Sequence, residues 1–274
     1  MRGDRLGPYV LLSLVGLLAG AAGGLLGIGG SIVMIPAMNE LFGLDQHLHQ
    51  AAAMIVTLFV VAPATWQHAR ANAIDWQVVQ RMAPAAVVSV LVGVAISESG
   101  FFAGDGQRYL VGLFGLFLAY AGLADAVRLY AAAKHPPAHE QTRRVTVGAS
   151  AAIGALAGLV GGLLGVGGGV VMVPLQRRLL KIPIRQAIAN SAATIIALST
   201  VGACMKNYAV MTSQPHDWWK PLALAGVLAP MAVVGATVGS KLTHSLPIRP
   251  LRWAFIILLW VIAVRMVLRA IGVS

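Results

Sequence analysis

One apolar stretch broken by glycines, Gly23-Gly24-Leu25-Leu26-Gly27-Ile28-Gly29-Gly30-Ser31-Ile32-Val33-Met34-Ile35-Pro36, occurs twice in this chain. It returns 138 positions later as Gly161-Gly162-Leu163-Leu164-Gly165-Val166-Gly167-Gly168-Gly169-Val170-Val171-Met172-Val173-Pro174. From Gly16 to Pro36, 14 of 21 positions are identical in the two copies. Repetition at half the chain length implies two related halves, each led by a broken hydrophobic segment. The break is forced by length as well as by glycine. Residues 8–43 carry a single charge, Glu40, over 36 residues, whereas crossing about 30 Å of hydrocarbon takes about 20 helical residues. Gly27, Gly29 and Gly30 fall in the middle, and each glycine costs a helix interior up to about 1 kcal/mol relative to alanine. The reading is a helix over 9–26, a break, and a shorter helix over 31–42 that holds Pro36.

The chain is 58% hydrophobic and 11% charged, with a mean hydropathy of +0.80, well beyond the apolar share of soluble domains, about 45 to 50%. It reads as an integral membrane protein. The net charge of +11 is spread over segment ends and connectors, with no basic helix and no aromatic-interleaved stripe. That distribution excludes nucleic acid as a partner and fits topology signals facing anionic lipid headgroups. Cys204 is the single cysteine, so neither an intrachain disulfide nor a cysteine metal site is available. Arg2, Arg5, the apolar run from Pro8 to Leu18 and the small residues after it imitate a signal peptide. The copy in mid-chain argues that the first copy is mature structure too.

Further segments follow at about 50–68, 77–97 and 108–127, then a broken segment at 146–175 and segments at about 187–205, 219–242 and 250–271. Asp75-Trp76 and Asp217-Trp218 open the third segment of each half, which extends the repeat beyond the glycines. The fold class is an all-α polytopic membrane protein with 8 to 10 membrane segments. The chain divides into an N-terminal repeat, 1–127, a basic connector, 128–145, and a C-terminal repeat, 146–274. If each broken segment turns back as a hairpin, the connector and the basic loop with Arg177, Arg178, Lys181 and Arg185 share one face. Positive-inside then makes that face cytoplasmic and the halves inverted repeats. If each broken segment crosses once, the repeats are parallel. Clustering of the basic loops and the excess length favour the inverted arrangement.

The glycine breaks are the strongest candidate site. Backbone N–H groups exposed by a helix break inside a membrane cost several kcal/mol each unless something accepts their hydrogen bonds. A bound anion would accept them, aided by about half a positive charge at the start of the half-helix that follows, at Ser31 in one copy and Gly169 in the other. The candidate binding residues are therefore Gly27, Gly29, Gly30, Ser31, Gly165, Gly167, Gly168 and Gly169. Gly16, Gly20, Gly23 and Gly24 read instead as small-residue packing faces. Asn190, Ser191 and Thr194, at helical spacing, form a second polar group, with Thr57 the nearest first-half counterpart; Met54 and Ile55 stand where Asn and Ser are expected. Gln67, His68 and Arg70 at one segment end, and Lys206 at the equivalent end, are candidates for a vestibule, with a solvated interfacial end as the plainer reading. The breaks lack the Lys and Ser/Thr of a phosphate-cradling loop. No mid-membrane carboxylate, paired acids, HExxH or metal-ligand spacing is present. No cofactor, metal site or enzymatic activity is expected.

The twin motifs, each followed by a helix rich in Ala, Ser and Thr and then by an Asp-Trp-led helix, resemble the sulfite exporter TauE/SafE family over about residues 10–271. The resemblance implies a permease in the cytoplasmic membrane of a prokaryote that moves small anions such as sulfite, sulfoacetate or other organosulfonates. By position, the family's glycine motifs fall on Gly27, Gly29 and Gly30 and on Gly165, Gly167, Gly168 and Gly169, and its Ala/Gly-Thr/Asn-Ser motif falls on Asn190-Ser191. The expected partners are a small anion and the lipid bilayer, with a homodimer left open. An anion channel and a non-transporting membrane scaffold or enzyme subunit are the alternatives.

Overall fold

A computed structural model describes residues 7–134, 145–242 and 248–272, apart from the side chains of 128, 131–134 and 248–252. The described residues form ten α-helices and no strand. They are α1 (Gly7–Leu26), α2 (Ser31–Phe42), α3 (Gln46–Arg70), α4 (Trp76–Ser97), α5 (Gln107–Lys134), α6 (Val147–Leu164), α7 (Gly169–Leu175), α8 (Ile184–Ser213), α9 (Lys220–Leu242) and α10 (Ile248–Ala270). Eight of them are long and apolar enough to cross a membrane, and α2 and α7 are the short exceptions. The chain is thus a multi-pass membrane protein. The expected breaks fall at residues 27–30 and 165–168, as read from the glycines. α5 overruns its expected end at 127 and continues to Lys134, because Tyr130 and the alanines after it sustain a helix. The remainder of the expected connector, up to 144, lies outside the described residues.

Aspartate and threonine caps set several starts. Asp45 accepts a hydrogen bond from the Leu48 amide, Asp75 from the Gln77 amide and Thr146 from the Ala149 amide, each satisfying an amide that the first helical turn leaves without a partner. Each broken segment folds back on itself. Tyr9 near the start of α1 meets Phe42 at the end of α2, ring centroids 5.5 Å apart. Gly30 lies so close to α1 that a Cβ there would stand 2.6 Å from the Ala19 carbonyl oxygen. Gly168 approaches the Ala157 carbonyl oxygen of α6 in the same way, again at 2.6 Å.

The small-residue faces pack as expected, but against the opposite half. Gly16, Gly20 and Gly24 of α1 meet Leu228, Ala232 and Ala236 of α9 in that order, so the two helices run in the same direction. Gly154, Gly158 and Gly162 of α6 meet Met82, Ala86 and Val90 of α4 likewise. With no hydrophobic drive to join helices in lipid, such close backbone approach supplies the van der Waals contact that holds them. Equivalent helices pack antiparallel. Gly202 of α8 meets Met54 of α3 while Asn207 reaches back to the Ala51 carbonyl, and Gly112 and Gly122 of α5 meet Ala270 and Trp260 of α10. This geometry supports the inverted arrangement over the parallel one.

Candidate functional site

The two glycine breaks meet. A Cβ on Gly169 would stand 2.7 Å from the Ile28 Cα and would collide with the Gly27 carbonyl oxygen. Around this contact the halves are matched at the same offset of 138: Gly27 packs on Ile188, and Gly165 packs on Gln50. Gly27, Gly29 and Gly30 have φ of +67°, +86° and +78°, and Gly165, Gly167 and Gly168 have +73°, +68° and +76°. This left-handed backbone is one that residues with a Cβ adopt only at a cost, which is why the pattern repeats position for position.

Thr57 of α3 stands between the breaks. Its Cγ2 lies 2.9 Å from a Cβ built on Gly29 and 3.3 Å from one built on Gly167, and its hydroxyl donates to the Gly29 carbonyl at 3.1 Å. Ser199 of α8 comes to the same place, its Oγ 3.6 Å from the Gly167 Cβ position. Ser31 and Ser199 are fully buried, and neither hydroxyl has a hydrogen-bond partner among the described residues. Hydrogen bonds that return into each break come from the amides of Gly27, Val33 and Met34 and of Gly165, Val171 and Met172. Between them, Gly29, Gly30 and Ser31, and Gly167, Gly168 and Gly169, offer amides that take no acceptor among the described residues. Buried donors without acceptors are costly, so the meeting point of the breaks is chemically prepared for a group rich in acceptors.

The second polar group is placed differently. Asn190 accepts from the Asp75 amide at 2.7 Å and donates to Gln176 Oε1 at 3.1 Å, while Gln176 Nε2 donates to Ser191 Oγ at 2.9 Å. Thr194 donates to the Asn190 carbonyl at 2.9 Å. These bonds tie the start of α8 to the end of the second hairpin and to the start of α4. The contacts also reset the register between halves: Thr57 faces Gly29 as Ile195 faces Gly167, each pair 138 positions apart, which equates Asn190 and Ser191 with Ala52 and Ala53 rather than with Met54 and Ile55.

The candidate vestibule residues sit apart. Gln67 donates to the Thr237 carbonyl, His68 is buried, and Arg70 lies 5.8 Å over the Trp66 ring. Lys206, fully buried, donates to Ser97 Oγ and, at 2.7 Å, to Glu98. Glu98 in turn meets His47 Nδ1 at 3.1 Å. Burial raises the Glu98 carboxyl pKa, but the hydrogen bond with His47 and the charge of Lys206 lower it further, to about 2. Sequence reading misses Ser199, one serine among many small residues of α8, and Glu98, whose partners His47 and Lys206 lie 51 and 108 positions away.

Paired broken hairpins, whose long arms α1 and α6 are two of the eight helices long and apolar enough to cross a membrane, define a class: polytopic membrane proteins built on an internal repeat. The family model described as "Sulfite exporter TauE/SafE" matches residues 12–266, and the chain belongs to that family. Its relatives are named as membrane transporters. It is 29% identical to a "probable membrane transporter protein" of Haemophilus influenzae, over 95% of this chain and 99% of that one. It is 28% identical to "probable membrane transporter protein MamO" of Magnetospirillum gryphiswaldense, over 96% of this chain but 46% of that one. Identity to "probable membrane transporter protein YunE" of Bacillus subtilis is 25%, over 85% and 86%. The chain thus spans under half the length of the MamO relatives. No solved structure matches it.

Proposed function

We propose that this protein exports a small oxyanion, sulfite or an organosulfonate, across the cytoplasmic membrane of a prokaryote. The observation that carries this reading is the meeting of the two glycine breaks around Thr57, with amides in both breaks that take no acceptor among the described residues, the Ser199 hydroxyl beside Gly167, and the buried Ser31 hydroxyl at the start of α2. A sulfonate or sulfite offers three oxygens to such donors, and the positive end of α2 favours its charge without a buried cation. Asn190, Ser191 and Thr194 take a supporting part in this reading, holding the second hairpin in register beside the substrate. The repeats at 1–127 and 146–274 are inverted, with the connector at 128–145 and the basic loop after α7 in the cytoplasm. The family description names sulfite, which agrees with this chemistry.

Export needs no coupling carboxylate in this scheme. The membrane potential contributes about 2.3 kcal/mol per charge per 100 mV, pushing an anion out of a negative cytoplasm. Purified protein in liposomes is expected to show saturable sulfite flux away from the negative side, rising with the imposed potential. Flux indifferent to potential but driven by a pH gradient would reject the uniport scheme. Absence of flux with sulfite and with sulfoacetate would reject the substrate class.

A further inference from the structure

A line of three cavities, each sharing wall residues with the next, marks a crevice between the protein surface and the first glycine break, and its mouth carries two arginines. Its outer part is a cavity of about 610 Å³ between α5 and the end of α7, where Arg177 and Arg178 face Tyr120, Ala124 and Val127. A second cavity of about 250 Å³ shares Tyr120, Ala124 and Pro174 with the first and adds Ala121 and Val170. A third, of about 70 Å³, shares Ala121, Val170 and Pro174 with the second and ends on Leu26, Ile28 and Ile188. Ile28 lies inside the break, and Ile188 packs on Gly27. The narrow inner part is walled by Phe255 and Leu259 of α10 and holds one carboxylate, Asp125.

Local structure explains the placement of the arginines. Pro174 has no amide to donate, and after it the helix widens into a π-helical turn, Gln176–Leu180, closed by Lys181 at a φ of +54°. Single π-turns of this kind recur at functional positions. Here the turn buries Gln176 and Leu180 and leaves Arg177 and Arg178 exposed at the mouth. Arg178 has no ion pair among the described residues.

We infer that this crevice is the route by which an anionic substrate reaches the glycine breaks from the basic face, with Arg178, beside Arg177, as the recruiting cation. The inference deepens the export reading and rests on it for the substrate class. A basic mouth over apolar walls concentrates field lines and raises the local density of anions, speeding their arrival by about 10-fold or more. Arginine suits the task because its planar fork pairs with sulfonate oxygens and stays charged at any working pH. Farther in, the route narrows between Leu26 and Ile28 on one side and Phe255 and Leu259 on the other, beside Asp125.

The test uses cysteine reporters and needs no flux. In a Cys204→Ser background, Ala124→Cys is exposed in liposomes to 2-sulfonatoethyl methanethiosulfonate, an anion, and to its trimethylammonium analogue, a cation. Rates are normalised to those of a free thiol. The anion is expected to react at least several-fold faster, and Arg178→Glu, an exposed and fold-neutral change, is expected to abolish or reverse that preference. Equal normalised rates, or a preference unmoved by Arg178→Glu, would overturn the inference. So would labelling that is fast in detergent but blocked in liposomes, because a lipid chain would then occupy the crevice. A companion flux measurement separates the two readings. Arg178→Glu should raise KM for sulfite with kcat nearly unchanged, whereas a charge-selective crevice in a protein that moves no sulfite would sink the export reading and leave the crevice standing.

Discussion

At the scale of single residues, Gly29 and Thr57 carry the most exposed claim. Gly29 has a φ of +86°, and a Cβ there would come within 2.9 Å of the Thr57 Cγ2. Gly29→Ala therefore meets both a left-handed backbone, which costs a non-glycine residue about 1–2 kcal/mol, and a side chain with little room to retreat. Sulfite flux per inserted molecule should fall at least about 10-fold in Gly29→Ala and in Gly167→Ala, a loss of about 1.4 kcal/mol or more in transition-state stabilisation. Ser199→Ala removes a hydroxyl with no protein partner, so it should leave thermal stability unchanged while raising KM. Wild-type KM in Ser199→Ala would remove that residue from the site. The glycines were legible in the sequence because positive φ and close approach both select the one residue without a Cβ, and the selection is made twice. Ser199 was not, since its meaning depends on the register that brings it to Gly167. Asn190 and Ser191 were legible as buried polar residues, but their partners Gln176 and Asp75 emerged only once the hairpin and the helices were packed.

Several helix boundaries are legible in the sequence, because hydrophobic length, interfacial Asp-Trp pairs and glycine punctuation act locally. α1, α2 and α4 begin and end within two residues of their expected limits, whereas α3 starts four residues before the expected 50 and α8 runs eight residues past the expected 205, where polar helical turns continue beyond the apolar stretch. What local signals do not encode is which helix ends are pinned to each other. Lys206 of α8 is fully buried only because Glu98, 108 positions away, follows α4 to the same place, and His47 at the start of α3 joins them. Removing the carboxylate while keeping its shape, as Glu98→Gln, leaves a buried ammonium uncompensated, a change that costs about 3–5 kcal/mol where such pairs have been broken. The cluster also makes a pH prediction. The Glu98 carboxyl is lowered from its usual 4.5 to about 2, so the folded state holds the charged form more tightly than the unfolded chain does. That contribution is complete above about 4.5 and disappears as pH falls from there through about 2. Thermal unfolding in detergent should show wild type losing its advantage over Glu98→Gln as pH drops across this window. Parallel pH profiles for the two proteins would show that the cluster contributes no such linkage.

For the whole molecule, the repeat announced two halves but not how they interleave. The first helix of each half packs along the fourth helix of the other, α1 on α9 and α6 on α4, so neither half buries its small-residue faces without the other. Such pairing is non-local, and a repeat offset alone says nothing of it. The offset itself drifts: 138 at the breaks, it becomes 142 at the Asp-Trp pairs, which begin α4 and precede α9. The extra residues lengthen α8 beyond α3 and do not disturb the breaks. Orientation can then be argued from contacts alone. α3 and α8 run antiparallel, as do α5 and α10, so the loop after α3 and the loop after α8 should open on opposite sides of the membrane. In parallel repeats the same two loops share a side. In a Cys204→Ser background, Asn72→Cys and His216→Cys report on these loops, and Lys181→Cys reports on the loop before α8. A membrane-impermeant maleimide applied to intact cells is expected to label His216→Cys and to spare Asn72→Cys and Lys181→Cys until the membrane is opened. Labelling of Asn72→Cys and His216→Cys from the same side would require the equivalent helices to run in the same direction, and the antiparallel packing of α3 on α8 would then have to be abandoned along with the inverted export scheme built on it.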